Sequence, residues 1–282
     1  MCEFCHQHGE GKKWYLQAKN YSADLLSDVK RRRMIAEFFG GGPEELASQM
    51  DQLAKLHAAP PFVQAMMKRV VTRRMKKQHF GQVLPLEDIK EIFGFVDSIT
   101  RVACICRQAK LGREARYCYG ISLGRAANAF SEILGNVDSS FLSGPDTAGF
   151  ETLTPEEATQ AFLEHEREGC CHTVWTFVTP FIGGLCNCDR ADCLAMQSTV
   201  VQDVKVMVRA EYVAAANPEL CTGCRACMRV CQFGALGYSA ADKKAYVDQR
   251  ACYGCGICRA ACSKGALTLL PRGEVAAVAG VW

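Results

Sequence analysis

From Cys221 onward the chain repeats itself. The stretch CTGCRACMRVCQFGAL aligns with CYGCGICRAACSKGAL, every residue 31 positions from its counterpart. Gly223 falls over Gly254, Gly234 over Gly265 and Leu236 over Leu267. A duplication this short makes one module of two like halves, because neither half can bury an apolar face alone. Each half reads C-x2-C-x2-C-x3-C, which concentrates eight thiols between Cys221 and Cys262. That spacing restricts the fold more than any hydrophobic period does, since the backbone must wrap around whatever the sulfurs hold.

A 4Fe-4S cubane needs four thiolates on four corners of one inorganic core. A short loop delivers three of them, and the fourth points away along the following helix toward the other half. The expected sets are therefore Cys221, Cys224, Cys227 with Cys262, and Cys252, Cys255, Cys258 with Cys231. Gly223 and Gly254 suit tight turns in which backbone N–H groups face sulfur. Zinc ribbons, the competing use of C-x2-C pairs, leave the third and fourth cysteines of each run without a role.

On these residues, positions 217–270 resemble a bacterial-type ferredoxin with two 4Fe-4S clusters. The resemblance implies a ferredoxin-like fold of two short βαβ-type halves, one-electron carriage at low potential and oxygen sensitivity. One departure stands out. Where the family places Pro after each fourth cysteine, this chain has Gln232 and Ser263. Each adds a backbone N–H and a polar side chain near the thiolate, a change expected to raise the potential of the nearer cluster.

The chain has 18 Cys in 282 residues, so ten lie outside the module. Cys170 and Cys171 are vicinal and are set aside. The other eight are Cys2, Cys5, Cys104, Cys106, Cys118, Cys186, Cys188 and Cys193, enough for one or two additional iron-sulfur clusters. Two groups are C-x-C, each followed by a further cysteine. In extended chain a C-x-C presents both sulfurs on one face and can clamp neighbouring corners of a metal centre. CICR, YCYG and CNC ahead of the ferredoxin-like module resemble a group of longer anaerobe iron-sulfur proteins, extending the likeness back to about Phe80. Any one of these thiols read alone is also a small buried hydrophobe.

The opening Cys2-Glu3-Phe4-Cys5-His6 spells C-x-x-C-H, the attachment signature of a c-type haem. No apolar h-region of roughly 7 to 15 residues follows it, so an export-side modification is not expected. A share in an iron-sulfur cluster is preferred, with zinc on Cys2, Cys5 and His6 or His8 and idle thiols as the alternatives.

Ahead of the module the pattern is helical. Leu46, Met50, Leu53 and Leu56 make one apolar stripe; Phe62, Met66, Val70 and Met75 make another, with the bases outward. Pro85 opens a third helix with Ile89, Ile92, Phe93 and Val96. Thr154, Pro155 and Glu157 form a capping box for a fourth that runs to about Glu168. Residues 102–107 and 180–193 read as turn-rich segments carrying the cysteines, and Asn217-Pro218 marks a boundary. The expected class is α+β: a mainly helical cysteine-rich domain over 1–216, and a dicluster domain over 217–282.

With 49% hydrophobic residues the chain needs no disulfide staples, and a reducing, cytoplasmic setting is expected. No run approaches the roughly 18 apolar residues of a membrane span. The net charge of +3 recruits no nucleic acid globally, though residues 30–33 and 68–77 are locally basic, read as solvated helix faces. Neither G-x-G-x-x-G nor Walker loops occur, and no Ser-His-Asp context stands out. The expected function is an electron-transfer subunit of an anaerobic oxidoreductase. It would serve a catalytic partner of flavin, molybdenum or tungsten, or hydrogenase type, with ferredoxin as a further partner. The competing readings are a stand-alone iron-sulfur reductase with a pocket drawn from His79, Arg107, His172 and Trp175, and an iron-sulfur sensor or nucleic-acid-binding protein.

Overall fold

The computed structural model describes residues 13–55, 58–113, 115–123 and 151–281. Cys2, Cys5, His6 and His8 lie outside them. Among the described residues no helix is long and apolar enough to cross a membrane.

Among the described residues, six helices of seven residues or more precede the duplicated module: α1 Val29–Gly40, α2 Gly42–Lys55, α3 Pro61–Gln78, α4 Leu86–Phe93, α5 Ile105–Leu111 and α6 Pro155–Arg167. The last begins as expected, with Glu157 N–H donating to Thr154 Oγ1 at 3.2 Å and Thr154 N–H donating to Glu157 Oε2 at 2.9 Å. Helix α3 differs from its expected orientation. Phe62, Met66 and Val70 are exposed, whereas Val71 packs on the core beside Met75, which alone of the expected stripe turns inward. The helix carries two adjacent apolar rows one residue apart, and tertiary packing selects the second. Arg31, within a basic run read as solvated, is buried instead, its Nε donating to Phe177 O at 2.9 Å.

Most of the region's regular structure is helical, but it is not built of helices joined only by cysteine-rich loops. Its centre is a seven-stranded sheet of β1 Gly81–Leu84, β2 Ser98–Val102, β3 Cys118–Ser122, β4 Glu151–Thr152, β5 Cys171–Thr176, β6 Ile182–Cys188 and β7 Met207–Val208. The order is β4-β2-β3-β6-β5-β1-β7, antiparallel throughout except for β1 with β7. Its period-2 signal is faint for a physical reason: β1 and β5 are buried at every position, so no polar face alternates with an apolar one. Val174, Leu185 and Tyr119 face α4 and α6, packing with Ile89, Phe93 and Phe162. The alternate residues Cys171, Trp175 and Cys188 face the other way.

The duplicated module adds β8 Tyr212–Ala216, α7 Ala226–Val230, β9 Leu236–Ser239, β10 Lys244–Val247, α8 Ile257–Ala260 and β11 Leu267–Pro271. β8 pairs with β11, and β10 with β9, both antiparallel. The 31-residue offset carries β8 onto β10 and β9 onto β11, so each ladder joins the opening strand of one half to the closing strand of the other. The repeat thus starts at about Tyr212, ahead of the boundary expected at 217.

The module packs tightly on the sheet domain. Tyr212 Oη donates to the buried Asp88 at 3.0 Å, and Arg259 pairs with Glu87 at 2.6 Å. Gln232 Nε2 donates to Gly169 O at 2.7 Å and Gln232 Oε1 accepts from Arg190 N–H at 2.8 Å. Gln232, expected to tune a thiolate, spends its amide on docking.

His172 on β5 is fully buried, with Nδ1 2.7 Å from Asn187 Oδ1. Burial lowers its pKa from 6.5 to about 4. Between those values the unfolded chain binds a proton that the folded chain refuses, so stability rises with pH across that window. The contribution, on the order of 3 kcal/mol, is complete above about pH 6.5 and lost as pH falls toward 4. In denaturation experiments on His172→Gln, the slope of stability against pH in this window should be shallower by up to about 1.4 kcal/mol per pH unit than in the parent. Equal slopes would refute this.

Candidate metal centres

Two cavities open in the duplicated module. One is lined by Cys221, Cys224, Cys227 and Cys262, the other by Cys231, Cys252, Cys255 and Cys258. Each cavity thus gathers three thiols from one loop and the fourth from the opposite half. The backbone repeats the crossing. Ala245 N–H donates to Cys221 Sγ and Ala214 N–H to Cys252 Sγ, both at 3.4 Å and 31 positions apart. Ala235 N–H to Cys231 Sγ and Ala266 N–H to Cys262 Sγ form a second such pair at 3.3 Å. Such donors favour the thiolate, the form that binds metal.

The glycines are where these loops demand them. Gly223 has φ of 71° and Gly254 of 74°. A Cβ on Gly223 would run into the carbonyl oxygen of Lys243, and one on Gly254 into that of Tyr212, again 31 positions apart. Loop and opposing strand are therefore in backbone contact, which leaves no room for a side chain.

A third gathering of thiols lies on the sheet domain. Cys118 on β3 is directly opposite Cys186 on β6, with the two sulfurs 3.3 Å apart. Cys186 and Cys188 share the face expected of a C-x-C, because that segment is strand rather than turn. Cys104 and Cys106 reach the same place differently, Cys104 as the cap of α5 and Cys106 within its first turn. Cys193 caps the short helical turn after β6. Hydrogen bonds link the six thiols in sequence: Cys186 to Cys118, Cys118 to Cys104, Cys104 to Cys106, Cys106 to Cys193, and Cys193 to Cys188. Donation from Cys106 and Cys118 holds Cys104 well below the ordinary thiol range, and donation from Cys106 and Cys188 does the same for Cys193. The same contacts push Cys106, Cys118 and Cys188 up. The two C-x-C groups, remote from each other in the sequence, meet in one place.

Among the described residues no three His, Cys, Asp or Glu side chains converge on a point suited to a single metal ion. The thiols instead surround a space or form a chain. A space ringed by four thiols, as in the two cavities of the module, is the donor arrangement a multi-iron core needs, each iron taking its own thiolate.

Arg107, one turn into α5, is buried and locks this centre's frame. Its guanidinium pairs with Asp189 and with Asp192 at 3.3 Å, and lies 3.7 Å over the ring of Tyr117. His79 and Trp175 stack at 4.9 Å between ring centroids, whereas His172 points to the opposite face of the sheet, 5.0 Å from Phe162. These four side chains do not assemble into one pocket.

Cys171, set aside as half of a vicinal pair, is where the two parts meet. It stands opposite Cys188 in the β5–β6 ladder and shares one buried cluster with Cys188, Cys193, Tyr253, Cys255 and Ile257. No spacing rule points to it, since its neighbours come from a distant loop.

Residues 220–267 match the family model of the 4Fe-4S dicluster domain. No curated protein matches the chain. The chain carries an iron-sulfur electron-transfer module, and 4Fe-4S clusters are its cofactors.

Proposed function

We propose that the chain is the iron-sulfur subunit of an oxidoreductase complex, relaying single electrons between a soluble carrier and a catalytic partner. The observation that carries this reading is the shared buried cluster that sets the thiol-lined cavity of Cys231, Cys252, Cys255 and Cys258 against the six-thiol centre. A simple carrier has no use for a third centre packed onto the second. In this reading Cys221, Cys224, Cys227 and Cys262 ligate one cluster and Cys252, Cys255, Cys258 and Cys231 the other. Four of Cys104, Cys106, Cys118, Cys186, Cys188 and Cys193 ligate an additional one.

Bound 4Fe-4S clusters supply one-electron redox chemistry. The chain's own groups do the rest: thiolates ligate, backbone N–H groups offset charge on sulfur, and the aromatic pair Phe233 and Tyr253 keeps water from the inner cavity. Partner type, whether flavin, molybdenum or tungsten, or hydrogenase, belongs to the same proposal, as do ferredoxin as carrier and an anaerobic, cytoplasmic setting. Anaerobically purified chain should take electrons from a low-potential reductant, bleaching its visible absorbance, yet turn over no organic substrate until a partner subunit is added. Steady turnover by the isolated chain would overturn the subunit assignment.

A further inference from the structure

The duplicated module contains its own control, because each position around one cavity has an equivalent around the other. Near the first cavity stand Thr222, Arg225, Lys243 and Lys264. Thirty-one residues away, the equivalents are Tyr253, Gly256, Tyr212 and Phe233. The backbone is conserved between halves down to the carbonyl that meets each glycine, while the side chains have diverged in one direction. Tyr253 is 7% exposed and stacks on Phe233 at 4.0 Å, and Tyr212 donates to Asp88. That half is sealed against the sheet domain.

The first half faces outward. Cys224 is exposed, whereas its equivalent Cys255 is buried. Arg225 lies 3.9 Å over the ring of Tyr238, and Lys244 holds the Cys221 carbonyl, so two of the cations are fixed in place. Lys243 and Lys264 are exposed. Leu220, immediately before Cys221, is 49% exposed, giving the rim an apolar element. Of the carboxylates in this stretch, Asp242 is turned to Ser239 at 2.6 Å, and Glu219 is exposed beside Leu220.

We infer that the cavity of Cys221, Cys224, Cys227 and Cys262 is the external port of the protein and that its cationic rim docks an acidic one-electron carrier protein. This deepens the electron-transfer reading and rests on it. Charge complementarity around a small, partly apolar contact is what a transient redox encounter requires: it speeds association and orients the partner without tight binding.

The test mixes anaerobic holo-protein with reduced flavodoxin, an acidic carrier, in a stopped-flow instrument, with reduced methyl viologen as a small-molecule arm. The flavodoxin rate constant should fall roughly tenfold as ionic strength rises from about 0.01 M to about 0.15 M, where the screening length drops from about 30 Å to about 8 Å. At low salt, combining Lys243→Glu with Lys264→Glu should slow flavodoxin by roughly tenfold at unchanged iron content, whereas Lys77→Glu on α3 should not. Carbodiimide cross-links between the parent protein and flavodoxin should map to Lys243 and Lys264. A salt-independent rate, or cross-links confined to the basic face of α3, would overturn the port while viologen reduction still upheld the electron-transfer reading. Failure with viologen as well would remove both.

Discussion

Replacing Cys262 by Ser is expected to injure the cluster held by Cys221, Cys224 and Cys227 and to spare the one beside it in sequence. Cys262 follows Cys252, Cys255 and Cys258 along the chain, yet it lines the other cavity. Losing one corner thiolate loosens one iron of about four, so a 3Fe-type signal should appear in electron paramagnetic resonance spectra. The second cluster should stay reducible, no longer magnetically coupled to a normal neighbour. Cys231→Ser should give the mirror result, damaging the site of Cys252, Cys255 and Cys258. The pair of variants separates crossed from local ligation: under local ligation Cys262→Ser would instead strike its own sequence neighbours. Ala266 N–H, which donates to Cys262 Sγ, keeps a serine oxygen as an acceptor, so the loop itself has reason to hold.

The second large effect concerns the six-thiol centre. Cys104, Cys106, Cys118 and Cys193 each bond two other thiols, and of these Cys104 and Cys193 are the two held well below the ordinary thiol range. Replacing both with Ser should lower the iron content of anaerobically purified protein from about twelve to about eight per chain, one cubane's worth. The spectra of the dicluster module should persist, since none of its eight thiols is touched. A parent protein that already holds only about eight iron would dispose of the additional cluster and return these thiols to the role of buried hydrophobes.

That each cavity of the module gathers three thiols of one run was legible because it follows from covalent spacing. Three cysteines within seven residues cannot be far apart in any fold, and the fourth, one helical turn on, must point elsewhere. The capping box at Thr154 was equally readable, since its two hydrogen bonds are local. The buried row of α4 was readable for a related reason: a single apolar stripe on a short helix leaves one choice of inner face.

Other features needed the tertiary structure. On α3 two apolar rows compete, and only the position of the core decided that Val71 and Met75 turn inward while Phe62, Met66 and Val70 stay outside. The strand β6 hid in a glycine-rich segment because its pairing with β3 and β5, not its own propensity, extends it. Gln232 looked like a modifier of its neighbouring thiolate, but its amide reaches Gly169 and Arg190, residues no sequence pattern places beside it.

The sequence by itself determined that each half of the duplication brings three thiols together, because chain connectivity bounds the distance between near neighbours whatever the rest of the protein does. Only the tertiary structure decided that the two remote C-x-C groups share one centre, that Cys171 sits at its junction with the module, and that one half of the duplication faces inward and the other out. Those facts depend on contacts between segments far apart in the chain, whose proximity is set by how a sheet with both faces buried closes against its neighbours.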